Sequence, residues 1–312
     1  MTTTPPPLTA ASRLRTHLAT PNHTLFCPGI YDGLTARIAL NEQFPALYMT
    51  GAGTAATRLG APDLGLATLN DMVENARMIA SLDRTVPLIA DADTGYGGPL
   101  MVARTVQAYM TAGVAGMHLE DQVVTKRCGH LSGKELVSEE EYLARIRAAV
   151  LAREEVRSAW PGADIVLIAR TDSLQSLGYE AAVQRLKRAV EVGADVAFLE
   201  GMTSLEECRR VCVDLAPTPV LLNMVAGGVT PEVGLDEARE LGFKIVIFPA
   251  VCLGPVVEEA TRALRRLKAE RRNEVSEFQK RTGVKGFFEV VRLGDFLEFD
   301  QRAGGSAFEN GV

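Results

Sequence analysis

Eight short apolar runs recur along the chain, each followed by a longer stretch of helical period, and this alternation restricts the folds open to it more than any other feature. The runs lie near Leu25 to Pro28, Ala46 to Thr50, Pro87 to Ala90, Gly116 to Leu119, Ile165 to Ala169, Val196 to Leu199, Val220 to Leu222 and Ile245 to Phe248. IVLIA at 165–169 and IVIF at 245–248 are apolar at every position, as strands of a parallel sheet covered on both faces must be. A sheet with one wet face would alternate instead. Between the runs, Ser138 with Glu141 and Thr203 with Glu206 fit capping boxes, and Thr230 before Pro231 fits an N-cap with a first-turn proline. Leu143, Ile146 and Val150 share one helical face, and Val183, Leu186 and Val190 another. Eight strand-helix units in series predict an α/β protein, a (β/α)8 barrel of TIM type; a doubly wound open sheet is the alternative, but no G-x-G-x-x-G or P-loop sequence follows the first strand.

A chain of 312 residues suits one such barrel. The first 31 residues hold no Asp or Glu but include Arg13 and Arg15, a composition shared with mitochondrial leaders. Pro5 to Pro7 fit a flexible tail better, so residues 1–20 are expected to be tail and 21–312 the barrel with a C-terminal helical extension. A formal charge of -6 argues against nucleic-acid binding. The nine basic residues from Arg262 to Lys285 read as a solvated helical face. Five cysteines without a C-x-x-C pair predict a reducing compartment, with the cytoplasm expected and the mitochondrion the alternative. No apolar run approaches the ~20 residues of a membrane span.

In barrels of this kind, chemistry gathers at the C-terminal strand ends. Those ends read Thr50, Gly51, Ala52 and Gly53; Asp91 and Asp93; Glu120 and Asp121; Arg170 and Asp172; Glu200; and Asn223. Any one of these residues is plausible as an ordinary loop or capping residue. Together they crowd carboxylates into one volume, which is unfavourable without a cation. No His and Cys set has zinc spacing, so Mg²⁺ is expected, with Mn²⁺ as substitute. After the fourth strand come Lys126, Arg127, Cys128, Gly129 and His130, whose cationic groups would lower the thiol pKa and make Cys128 reactive. Cys208 and Cys212, at helical spacing, read as packing residues.

The segments YMTGAG at 48–53, DADTGYG at 91–97, HLED at 118–121, KRCGH at 126–130 and ARTDS at 169–173 resemble the isocitrate lyase and phosphoenolpyruvate mutase superfamily, over about residues 31–248. The resemblance implies a barrel whose last helix is exchanged with a neighbour, giving a homotetramer built as a dimer of dimers. It implies a metal site at Asp91, Asp93 and Glu120, largely through water, with Asp63 nearby. It implies that Thr50, Gly51, Ala52 and Arg170 hold the oxo-acid carboxylate, and that Lys126, Gly129, His130, Glu200, Asn223 and Pro249 complete the substrate site. KRCGH separates the lyases from the phosphonate mutases, so a carbon-carbon lyase acting on a di- or tricarboxylate is implied, with Tyr48 as base and Cys128 as the acid that protonates the carbanion. Leu131 to Gly133 stand where isocitrate and methylisocitrate lyases place an arginine, and Val225 where they place a hydroxyl. The substrate expected is therefore a 2-hydroxy dicarboxylate such as 2,3-dimethylmalate, cleaved to pyruvate and propionate. The alternatives are hydrolysis of oxaloacetate to oxalate and acetate, cleavage of 2-methylisocitrate, and a catalytically silent binding barrel.

Overall fold

A computed structural model describes residues 8–308. Eight parallel strands close into a barrel in chain order: β1 Leu25–Ile30, β2 Leu47–Met49, β3 Leu88–Asp91, β4 Gly116–Leu119, β5 Val166–Thr171, β6 Val196–Leu199, β7 Val220–Asn223 and β8 Ile245–Phe248. Each expected run carries one strand, and the barrel, not the open sheet, is the fold. Two apolar layers hold it. Inside the barrel, every second strand residue packs together, including Leu25, Cys27, Tyr48, Ile89, Val166, Ile168, Phe198, Leu221 and Ile247. Outside it, the other strand face packs on the helices through residues such as Met72, Val106, Ile146, Leu186 and Phe243.

Side chains alternate along a strand, so the inner position above each interior residue lies two residues further on. Above Tyr48, Ile89, Ile168, Phe198, Leu221 and Ile247 these positions are Thr50, Asp91, Arg170, Glu200, Asn223 and Pro249. His118 stacks on Tyr48 and meets Phe198 edge-on, which puts Glu120 in the same upper layer. Strand parity thus gathers the polar strand ends at one mouth.

The expected tail is partly structured. The first seven residues lie outside the described residues, but Ala10–Ala19 is a helix capped by Thr9, and it sits across the lower end of the barrel. Leu14 is fully buried there, and Arg15 pairs with Asp164 at 2.5 Å and Asp195 at 3.0 Å. An apolar residue and a basic residue one apart, read as tail composition, are in fact anchors.

Ser138 caps Glu139–Ala159, accepting from the Glu141 N–H, but the expected box is only half formed, since the Glu141 carboxylate accepts from Arg145 instead. The next cap falls one residue later than expected: Ser204, not Thr203, accepts from Glu207, while Thr203 bonds the Glu207 carboxylate. Thr230 caps nothing; the helix after β7 starts at Leu235 behind Gly234, and Thr230 is buried in the preceding loop. Cys208 is fully buried and Cys212 packs against the outer core.

After β8 the helices Leu253–Glu270, Glu277–Val290 and Leu293–Arg302 bury no residue. Their basic residues pair within the segment, Arg262 with Glu259, Arg266 with Glu270 and Glu274, and Lys280 with Glu277. Among the described residues no helix is long and apolar enough to cross a membrane.

Candidate active site

On one flank of the mouth stand carboxylates. Asp91 lies against Gly51, whose N–H donates to its Oδ2 at 3.2 Å; a Cβ at Gly51 would fall 2.4 Å from that oxygen, so only glycine fits. Asp93 turns back with φ 46, a left-handed conformation that Asp tolerates, and donates its N–H to Asp91 Oδ1 at 2.9 Å. Tyr96 in the same loop holds φ 64, which costs strain in a bulky residue and marks a segment shaped for something other than stability. Lys126 Nζ reaches across to Asp63 at 2.6 Å and Asp93 at 2.5 Å. It serves this flank, not the part of the mouth around Arg170.

Burial pushes Asp91, Asp93 and Glu120 above the usual carboxylate range, Asp93 to about 6, while Lys126 pulls the other way. Asp93 Oδ1 and Glu120 Oε2 are buried with no neutral hydrogen-bond donor, each facing only a cation, Lys126 at 2.5 Å and Arg170 at 3.2 Å. Oxygen donors in that condition fit a hard divalent cation. Among the described residues no three acidic, His or Cys side chains converge closely enough to surround an ion by themselves. An ion held here would have to keep water in much of its shell.

The opposite flank centres on Arg170. It donates to both oxygens of Asp172, at 2.9 and 3.0 Å, stands 3.2 Å from Glu120 and 3.5 Å from Glu200, and lies over the Phe198 ring. Arg170 and Lys134 outweigh burial at Asp172 and hold that carboxyl below its ordinary range. Glu200 accepts from Asn223 Nδ2 at 2.9 Å and from the Gly201 N–H. His130 joins this group, 3.6 Å from Glu200 and 3.4 Å from Asn223.

The segment between β4 and the helix Glu139–Ala159 folds over both flanks. Gln122 holds its base, donating to Glu120 and to the Arg127 carbonyl and accepting from the Arg127 N–H. At the tip, a Cβ on Gly129 would lie 2.4 Å from Arg170 Nη2 and 2.7 Å from Glu200 Cγ, so the loop rests on the arginine flank with no room for a side chain. Cys128 donates its N–H to the Asp63 carbonyl, tying the loop to the acidic flank as well. A cavity of about 300 Å³ remains beside the site, reaching Asp93 and Lys126 and opening outward past Asn70 and Arg104.

The expectation of a low-pKa Cys128 is overturned. The thiol is pushed up by burial, with Asp63 adding to it, and the His130 backbone N–H and, behind it, Arg170 and Lys126 only partly offset this. Tyr48 lies inside the barrel, its hydroxyl 2.8 Å from His118 Nε2, and its phenol is pushed well up by burial and by Asp91. Burial drives His118 down to about 3, so it is neutral. Thr50 uses its hydroxyl to accept from the Gly53 N–H, Ala52 is half-buried beside it, and the Pro249 carbonyl packs against Gly29.

Three contributors escaped the sequence reading. His118 was detectable, since it lies two residues before Glu120 on one strand. Gln122 and Lys134 were not, because Gln122 binds both backbone groups of Arg127 in an irregular loop, and Lys134 binds a backbone carbonyl and the distant Asp172. Asp121, grouped with the strand ends, faces the other way: it accepts from Thr171, from the Asp172 N–H and from Arg185, and so braces β5 from behind.

A closed parallel barrel with this mouth and this loop defines the class. The phosphoenolpyruvate phosphomutase family model matches residues 14–268, and the chain belongs to that family, within the PEP mutase/isocitrate lyase superfamily. It is a lyase of that superfamily. A solved 2,3-dimethylmalate lyase is 52% identical, with TM-score 0.92 and coverage of 98% of this chain and 99% of that one. An oxaloacetate acetylhydrolase bound to 3,3-difluorooxalacetate is 51% identical, with TM-score 0.91, covering 96% and 98%. The 2-methylisocitrate lyase of Aeropyrum pernix is 38% identical over 90% of this chain and 87% of its own. A more distant phosphonopyruvate hydrolase, 25% identical with TM-score 0.80 and coverage of 95% and 99%, was solved with oxalate and Mg²⁺.

Proposed function

We propose that this enzyme cleaves a 2-hydroxy dicarboxylate of the alkylmalate type, such as 2,3-dimethylmalate, to pyruvate and a short carboxylate. What supports the reading is the loop over the mouth: its Gly129 packs against Arg170 and Glu200, and the thiol of the adjoining Cys128 is pushed up by burial. A proton donor must hold its proton until the carbanion forms, so a raised thiol pKa suits an acid better than a nucleophile.

Thr50, Gly51, Ala52 and Arg170 would orient the carboxylate beside the hydroxyl. Gly129, His130 and Asn223, with Glu200 between them, would hold the distal one. Asp91, Asp93 and Glu120, with Asp63 nearby, would hold Mg²⁺ or Mn²⁺, largely through water. Such an ion supplies positive charge where the 2-oxygen becomes negative. Tyr48 is the base proposed for the hydroxyl proton; it would have to enter the step as the phenolate, which burial and Asp91 oppose and which cationic charge bound beside Asp91 would favour. The 2-oxygen then becomes a carbonyl, the bond from C2 to C3 breaks, and its electron pair stays on C3. Cys128 delivers a proton to C3.

The choice of substrate rests on what lines the mouth. Two cations of the loop already have partners, Arg127 at the Ser132 carbonyl and Lys134 at Gly129 and Asp172, and no further arginine follows His130 in that loop. Pro249 offers no hydroxyl at the end of β8. Substrate comparison tests this: with Mg²⁺, pyruvate is expected from 2,3-dimethylmalate and little turnover from 2-methylisocitrate or oxaloacetate. Oxalate from oxaloacetate at a higher kcat/KM would overturn the assignment. Cys128→Ser should lower kcat by about 10²- to 10⁴-fold.

The assembly proposed is a homotetramer, with the C-terminal helices covered by a second copy. Their exposed Leu264, Phe296 and Phe299 support it, and light scattering of the purified protein measures it. A cytoplasmic location is proposed from five cysteines, none of them in a disulfide.

A further inference from the structure

Lys134 lies in the loop that covers the mouth, and its side chain is only 4% exposed although it carries a charge. Burying an ammonium is unfavourable unless it is paired and hydrogen-bonded, so the partners it finds identify what it does. Its Nζ donates to the Gly129 carbonyl at 2.6 Å, at the loop tip between Cys128 and His130. It also donates to Asp172 Oδ1 at 3.2 Å, the same oxygen that accepts from Arg170 Nη2 at 3.0 Å. One ammonium therefore joins the covering loop, which carries the thiol and the imidazole, to the carboxylate that accepts from the arginine.

A second lysine on the same loop, Lys126, reaches the acidic flank instead. The two lysine fastenings of the loop lie on either side of Cys128, and of these two only that of Lys134 ends on the carboxylate that accepts from Arg170. We propose that Lys134 is a positioning residue: it locks the loop tip onto Asp172, so that Cys128 and His130 come to rest only where Arg170 is already aimed. This rests on the reading of Cys128 as the proton donor, but the fastening itself is measurable without turnover.

The test uses the full-length protein with Lys134→Gln and Lys134→Arg. Alkylation of Cys128 by iodoacetamide, followed by mass spectrometry, reports how often the loop tip lifts; the partly buried Cys212, remote from the loop, reports whether the fold is intact. Expected for Lys134→Gln is Cys128 alkylation faster by on the order of tenfold or more, with Cys212 unchanged, since a charge-assisted hydrogen bond is worth at least that factor. kcat should fall in step, and Lys134→Arg should recover part of both. Unchanged Cys128 alkylation together with unchanged hydrogen exchange over residues 126–133 would overturn the proposal, even if activity were lost. Should Lys134→Gln fail to fold, Lys134→Met, which keeps the length but loses the charge and the donors, carries the same readouts, and native alkylation rates in it would equally overturn the lock. Full activity in Cys128→Ser alongside faster alkylation in Lys134→Gln would support the lock while removing the thiol from the chemistry.

Discussion

The two flanks of the mouth are built from the same residue types and behave oppositely. Around Asp91 and Asp93, burial dominates and the carboxyls are pushed upward, Asp93 to about 6. Across the mouth, Asp172 is as deeply buried, yet Arg170 and Lys134 hold it below its ordinary range. One flank is short of positive charge and the other is supplied with it by the chain itself. An added cation is therefore useful on one side only.

Removing divalent ions is the strongest way to break that contrast. Chelation should lower activity on the order of a thousandfold, with recovery on adding Mg²⁺. Because a bound ion must displace the protons that the raised carboxyls attract, Mg²⁺ affinity by titration calorimetry should weaken as pH falls from 7 toward 5, by up to about tenfold per unit for each proton displaced. Flat affinity over that range would mean that these carboxyls are not raised.

Gly129→Ala probes the arginine flank. The new methyl would meet Arg170 Nη2 and Glu200 Cγ, so the loop must lift, and kcat/KM should drop on the order of a hundredfold with little change in the melting temperature. An alanine variant with native kinetics would show that the loop does not rest on the arginine during turnover.

The smallest effect concerns stability. A carboxyl raised in the folded state favours folding at low pH and loses that contribution as pH rises through its folded value, about 6 for Asp93. Asp93→Asn should thus stabilise the metal-free protein at pH 7.5, on the order of 2 kcal/mol in urea melts, with the gain gone near pH 4. Asp172, being depressed, contributes above its ordinary pKa of 3.8 and loses that contribution as pH falls. Asp172→Asn should therefore destabilise at pH 7.5, and a stabilising effect would erase the distinction between the flanks.

Much of this was legible in the sequence, and the reason is periodicity. Strands buried on both faces announce themselves as unbroken apolar runs, and a period of two carries Thr50, Asp91, Glu120, Arg170, Glu200 and Asn223 to one layer. Environment was less legible. The basic neighbours of Cys128 suggested a low thiol pKa, but Lys126 spends its charge on Asp63 and Asp93, and burial decides the matter. The helix Ala10–Ala19 was missed because its two anchors sit in a segment poor in acid and rich in Ser and Thr. Lys134 was missed because a lysine between Gly133 and Glu135 looks like any surface lysine until its carbonyl and carboxylate partners are in place.

The three helices after β8 bury nothing of their own, and Phe296 and Phe299 are 66% and 69% exposed. With a second copy over them, as proposed, part of this protein's stability is set by mass action. Each tenfold rise in concentration then favours the assembled form by about 1.4 kcal/mol per association step. A melting temperature or specific activity for such a chain carries a protein concentration as part of its definition.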